Sequence, residues 1–166
     1  MHIAIEDPAT PDVLALLDEH LRNMHEISPK ESVHALDVSG LKQPDITFWT
    51  VRDGAMLLGC GALKALGAKH GEVKSMRTPT AHRRRGAGRA VLAHIIEEAR
   101  RRGYVRLSLE TGPVNTFLPA HSLYKAVGFT LCGPFGDYRL DPHSVFMQLA
   151  LVTGAASEEA AFKSQT

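Results

Sequence analysis

Apolar and polar residues alternate over residues 2–6 (HIAIE), the pattern of a strand with one buried face. Pro8, Thr10 and Pro11 break it, and the period then changes. Val13, Leu16, Leu17, Leu21 and Met24 fall on one side of a helix. Thr10 is placed to cap that helix, with Pro11 in its first turn. Ile27-Ser28-Pro29 ends it. Over residues 30–44 the signal is mixed: Glu31, Ser32, Val33, Leu36 and Leu41 allow a short helix, with Gly40 and Pro44 as breaks.

Residues 46–51 (ITFWTV) are β-branched and aromatic and read as a strand. Asp53-Gly54 is a hairpin signal, so residues 55–66 return as the next strand. Gly59 and Gly61 inside that strand suggest a bulge or a close backbone approach. A turn over residues 67–71 and a strand over 72–78 complete an antiparallel meander, which Pro79 stops. Gly88, Val91, Leu92, Ile95, Ile96 and Ala99 then repeat at helical spacing, with Gly103 as the C-cap. Residues 104–110 (YVRLSLE) alternate again, with Val105, Leu107 and Leu109 on one face. Strand, helix, strand implies a parallel pair with a right-handed crossover. A loop over 111–119 precedes a short helix at 120–126, ended by Gly128. Strands follow at 129–132 and 144–152, separated by the turn-rich Gly133-Pro134-Phe135-Gly136. The order β-α-(α)-β-β-β-α-β-α-β-β predicts an α/β (α+β) fold, a mixed sheet with helices on its faces.

At 166 residues the chain is expected to form one domain over residues 1–152, with the small, polar stretch 153–166 as a flexible tail. Composition is that of a globular domain, 44% hydrophobic and 22% charged. The net charge of +1 carries no polyanion-binding signature; basic residues are instead local, at Arg83–Arg85, Arg89 and Arg100–Arg102. Aromatic residues do not interleave with them, which argues against nucleic-acid binding. Two cysteines are too few for a disulfide framework. No stretch has the pattern of a signal peptide or a membrane span, so a cytoplasmic location is the default expectation.

The chemistry concentrates in residues 71–103. Arg83-Arg84-Arg85-Gly86-Ala87-Gly88 matches R-x-x-G-x-G at the point where a loop becomes a helix. Helix N-termini present unpaired N–H groups and partial positive charge, and glycines admit a bulky anion to the backbone. The segment is therefore a candidate phosphate cradle, with a plain tight turn as the alternative. It lacks the lysine of a P-loop and the third glycine of a dinucleotide fingerprint. The nine histidines show no metal-ligand spacing, so no metal site is expected. Cys60 and Cys132 read as small core residues rather than nucleophiles, and Trp49 as core or pocket wall.

Residues 72–88, followed by Leu123-Tyr124-Lys125-Ala126-Val127-Gly128-Phe129, resemble the GNAT superfamily of N-acetyltransferases. Its markers are R/Q-x-x-G-x-G/A after the fourth strand and L-Y-x-x-x-G-F near the C-terminus. SPKESVHALD, GEVKSMRT and PFGDYRLDPHSVFM resemble a bacterial subgroup of that superfamily. The resemblance spans nearly the whole chain and implies a mostly antiparallel central sheet with helices on both faces. It also implies acetyl-CoA as acetyl donor, with Met76, Arg77 and Thr78 along the pantetheine arm. Arg83, Arg84, Arg85, Gly86, Ala87 and Gly88 would hold the pyrophosphate.

By the same resemblance Tyr124 would protonate the departing thiolate; otherwise it is an amphipathic tyrosine packed on a helix. Glu72 would take the proton of the acceptor amine, with Glu110 as the alternative carboxylate and an exposed strand glutamate opposite a lysine as the plain reading. Asp137 and Tyr138 would line the acceptor pocket. The asparagine expected three residues before Ala120 is replaced by Phe117, with Asn115 two earlier, so no asparagine contact carries over. The implied activity is acetyl transfer to a primary amine, on a small molecule or a protein, by direct attack in a ternary complex. A non-catalytic acyl-CoA-binding module on the same fold is the competing expectation. The sequence leaves the acceptor's identity open, and a homodimer is compatible with it.

Overall fold

The period-two segments join in one sheet. The computed structural model describes residues 1–113 and 117–151. Asn115 and the expected tail 153–166 lie outside the described residues. In chain order the elements are β1 (His2–Ile5), α1 (Pro11–Ile27), α2 (Val38–Leu41), β2 (Ile46–Asp53), β3 (Met56–Ala65) and β4 (His70–Arg77). They continue with α3 (Ala87–Arg101), β5 (Arg106–Thr111), α4 (Leu118–Val127), β6 (Thr130–Cys132) and β7 (Val145–Ala150). Short 3-10 turns lie at Lys30–Ser32 and Thr80–His82. Strand order is β1-β2-β3-β4-β5-β7-β6. Among the described strands, β4 and β5 run parallel, joined by the α3 crossover, and the other neighbouring pairs are antiparallel.

The alternation assigns each face its cover. Val91, Leu92, Ile95 and Ile96 of α3 pack with Trp49, Val51, Leu63, Val73, Leu107 and Leu109. On the other face Val13, Leu16 and Leu17 of α1 pack with Phe48, Leu57, Cys60 and Ala62. Helices therefore cover both faces, as the pattern predicts. Each large aliphatic side chain so buried contributes about 1.5–3 kcal/mol against conformational entropy.

Two local expectations change. Thr10 occupies the N-cap position, but its hydroxyl donates to the Asp7 carbonyl at 2.8 Å instead of capping α1. The strand expected from Tyr104 begins at Arg106. Tyr104 still closes the helix, its N–H donating to Ala99 at 3.0 Å, and Val105 is 50% exposed rather than core. In the basic cluster at the helix end, Arg102 donates to Glu98 at 3.1 Å and to Thr47 of β2 at 2.7 Å. Arg100 and Arg101 do form surface pairs with Glu97 and Glu98.

Candidate active site

β4 and β5 pair only at His70↔Arg106, Gly71↔Leu107 and Glu72↔Ser108. Beyond that point β4 stays with β3 to Arg77, while β5 stays with β7 to Thr111. The two parallel strands part, and residues 73–77 keep a backbone edge with no strand on it. A bulge widens the gap. Cys60 pairs with Arg77 and Ala62 with Lys74, so Ser75 and Met76 together face Gly61. Ser75 adopts the left-handed region, at φ 54°. The Cys60 thiol pins the bulge by donating to the Ser75 carbonyl at 3.3 Å. The close approach expected at Gly61 is real: a Cβ there would lie 2.7 Å from Met76 Sδ and 3.0 Å from Ile95 Cδ1.

The chain then runs from the 3-10 turn through Arg84, at φ 65°, and Gly86, at φ 84°, into α3. Glycine permits the left-handed entry that starts the helix at Ala87. No side chain caps this end and no acidic residue lies in its first turn. Ala90 N–H reaches the Gly86 carbonyl at 3.0 Å, which leaves the N–H groups of Ala87, Gly88 and Arg89 without a helical acceptor. Arg83, Arg84, Arg85 and Arg89 are exposed around it. The sequence-predicted cradle residues therefore come together at one helix end, just after the free edge of β4.

The titratable groups gather at the mouth between the strands. Tyr124, on α4, is buried with its ring 5.8 Å from that of Phe129. Burial, and then the charge of Glu110, raises its phenol well above the usual range, so it holds its proton at neutral pH. Glu110 is itself pushed up to about 7, chiefly by burial. The Ser144 hydroxyl and Lys74 oppose that rise, and Glu72 and Asp141 add to it.

Glu72 is not an exposed strand glutamate. It is 2% exposed and accepts from the Tyr138 hydroxyl at 2.5 Å and from Lys74 Nζ at 3.1 Å. Lys64 stands opposite it in the register, yet the ion pair is with Lys74, two residues along the same strand face. Lys74 also donates to the Tyr138 hydroxyl at 2.9 Å and to the His34 carbonyl at 3.5 Å. Burial first, and Glu72 second, raises the Tyr138 phenol, so it too stays protonated.

The loop over residues 133–144 closes over this polar face. Its Phe135 and Tyr138 rings stand edge-on to each other at 5.0 Å and meet Phe146 of β7 at 6.0 and 5.6 Å. Ser32 ties the far end down by donating to Asp141 at 2.5 Å. Under and beside the loop lies a cavity of about 610 Å³ lined by Glu72, Tyr138 and Asp137, and by Lys64, His34 and Arg139. Sequence reasoning placed a lysine opposite Glu72, as Lys64 is, but named neither Lys64 nor Lys74 as part of the site. The only signal was their placement on the Glu72 face, two residues along and directly across. Buried His121 was also missed; it anchors the start of the β5–α4 loop by donating from Nε2 to the Gly112 carbonyl at 2.7 Å. Among the described residues no three His, Cys, Asp or Glu side chains are grouped to hold a metal ion.

A model of the Acetyltransferase (GNAT) family matches residues 12–129, from α1 to the end of the Tyr124 helix. The chain belongs to the GNAT acetyltransferase family. It is 54% identical over 147 residues to the uncharacterized N-acetyltransferase YsnE of Bacillus subtilis (strain 168), a match covering 89% of this chain and 97% of YsnE. It is 50% identical over 149 residues to the uncharacterized N-acetyltransferase YedL of Escherichia coli (strain K12), covering 90% and 94%. Among solved structures, a Klebsiella pneumoniae protein provisionally named an acyl-CoA N-acyltransferase superposes with a TM-score of 0.73 at 27% identity, covering 90% of this chain and 97% of that one. A Bacillus subtilis acetyltransferase in complex with CoA shares the fold, with a TM-score of 0.64 at 18% identity and coverage of 90% and 98%. The free β4 edge and the uncapped α3 terminus of this GNAT chain suit an acyl-CoA, whose pantetheine carries amide groups and whose pyrophosphate is anionic. No helix among the described residues is long and apolar enough to cross a membrane.

Proposed function

We propose that this GNAT enzyme transfers the acetyl group of acetyl-CoA to a primary amine by direct attack in a ternary complex. The observation that carries the reading is the splay of β4 from β5. It leaves the edge at Met76, Arg77 and Thr78 open to pair with the pantetheine amides, directly ahead of the uncapped N–H groups of α3. Backbone N–H groups from Arg83 through Gly88 receive the pyrophosphate, and the exposed arginines add charge. Acetyl-CoA supplies an activated acyl group with a thiolate leaving group. Backbone N–H groups at the Met76 bulge polarise its carbonyl.

The proton inventory favours a division of labour between the carboxylates. An amine of pKa about 10 must lose a proton before it attacks, which costs roughly 4 kcal/mol at pH 7. Glu110, pushed up to about 7 and outside any ion pair among the described residues, suits that task. Glu72 is committed to Lys74 and Tyr138, so it acts by fixing the acceptor wall and the charge around Glu110 rather than as the first acceptor of the proton. Tyr124 gives its proton to the thiolate. The new C–N bond forms as the C–S bond breaks, and positioning of both substrates supplies much of the rate. Nothing favours an acetyl-enzyme: Cys60 is fully buried with its thiol pushed up to about 12, and burial also raises Cys132.

The test is Tyr124→Phe, assayed by thiol release from acetyl-CoA with a panel of primary amines and by calorimetric binding of acetyl-CoA. Loss of transfer with affinity retained supports the assignment. Unchanged turnover removes Tyr124 from the chemistry, and retained binding with no transfer by the wild type to any amine would make the chain a non-catalytic acyl-CoA-binding module.

A further inference from the structure

The cavity beside Glu72 holds a cation that no part of the catalytic proposal uses. Lys64 is half-buried on β3, directly across from Glu72 in the register. Its natural carboxylate partner is taken, since Glu72 is bound by Lys74 and Tyr138. Lys64 forms no ion pair among the described residues, and neither does Arg139, an exposed loop residue that lines the same cavity. Phe135, Leu66 and Leu140 supply apolar wall. Glu31 and Asp137 also border the cavity, exposed as Arg139 is, so the half-buried Lys64 is the cation water solvates least, and Asp141 is engaged by Ser32 and by the His143 N–H at 2.8 Å.

Resting on the acetyl-transfer reading above, we propose that Lys64 and Arg139 form a carboxylate subsite, and that the acceptor is a small amine with an apolar or aromatic body and a carboxylate distal to the amine. Register sets the length. The bulge at Ser75 and Met76 lies three to four residues along β4 from the Lys64↔Glu72 pair. At about 3.3 Å per residue this separates the subsite from the reacting carbonyl by roughly 10–13 Å. The cavity of about 610 Å³ is of small-molecule size. A half-buried ammonium lacking a partner gains a charge-assisted hydrogen bond from such a ligand and nothing from a neutral one.

The test compares 4-(aminomethyl)benzoate with benzylamine, by amide chemical-shift titration of the protein with and without CoA and by thiol release from acetyl-CoA. The carboxylate is expected to tighten binding by roughly tenfold, the effect of one charge-assisted bond. Lys64→Met, which keeps the aliphatic stem, and Arg139→Gln are each expected to erase most of that preference; retained CoA affinity reports their fold. Equal affinity for the two ligands, or an undiminished preference in both variants, overturns the subsite. Failure of acetyl-CoA to bind removes the acetyl-transfer reading instead, and the two ligands' titration of the CoA-free protein still decides the subsite.

Discussion

Glu110 and Tyr124 form a matched pair at the scale of single residues, one raised to the operating pH and the other held protonated. In the proposed reaction Glu110 must be ionised to accept a proton, so kcat/KM is expected to rise with pH and level off above about 7. Glu110→Gln should remove that limb and lower the rate by roughly 100-fold, read from a pH–rate profile. The same shift has a stability sign. Between 4.5 and about 7 the folded state holds a proton that the unfolded state has lost, so this contribution declines as pH rises through that window. Glu72→Gln removes a negative charge that raises Glu110, and should move the limb to lower pH; an unmoved limb would place Glu72 outside Glu110's field. Glu72 and Tyr124 were singled out through the family resemblance, and Glu110 as the carboxylate ending the neighbouring strand; strand alternation alone made Glu72 an exposed residue, which its 2% exposure corrects. The Glu72–Lys74–Tyr138 contact was not legible, since it joins residues 66 apart through a loop whose course no local pattern encodes.

The β4 bulge is the decisive feature among the elements, and it depends on Gly61. Gly61→Val would drive a branched side chain into Met76 and Ile95. Overpacking of this kind costs about 1–3 kcal/mol, measurable as a lower urea midpoint at unchanged slope. The displaced bulge should also weaken acetyl-CoA binding in calorimetry. The strands themselves were readable from period-two alternation, and Gly59 and Gly61 signalled that something irregular stood near. The residue inserted opposite Gly61 and the point where β4 leaves β5 were not readable, because register is set by pairing across the sheet. Tyr104 and Val105 show the opposite error. Their alternation continues the strand pattern, but the hydrogen bond from Tyr104 to Ala99 keeps the chain in the helix end.

For the whole molecule, α1 and α2 on one face and α3 and α4 on the other clamp a sheet whose interior opens where β4 and β5 part. A ligand that binds this folded opening and not the unfolded chain must stabilise the protein. Acetyl-CoA at 100 times its dissociation constant should add about 2.7 kcal/mol and raise Tm accordingly in a thermal melt. In the proposed binding mode exposed arginines supply part of that affinity, so it should fall with added salt, and Arg84→Gln should flatten the dependence. The most direct measurement of the central claim is simultaneous quantification of free CoA thiol and N-acetylated product from acetyl-CoA and 4-(aminomethyl)benzoate, with wild type and Glu110→Gln. The account predicts equal yields of the two products for the wild type, with the rate rising up to about pH 7, and a large loss in the variant. Tight acetyl-CoA binding without amine-dependent thiol release from this or any other primary amine would contradict it.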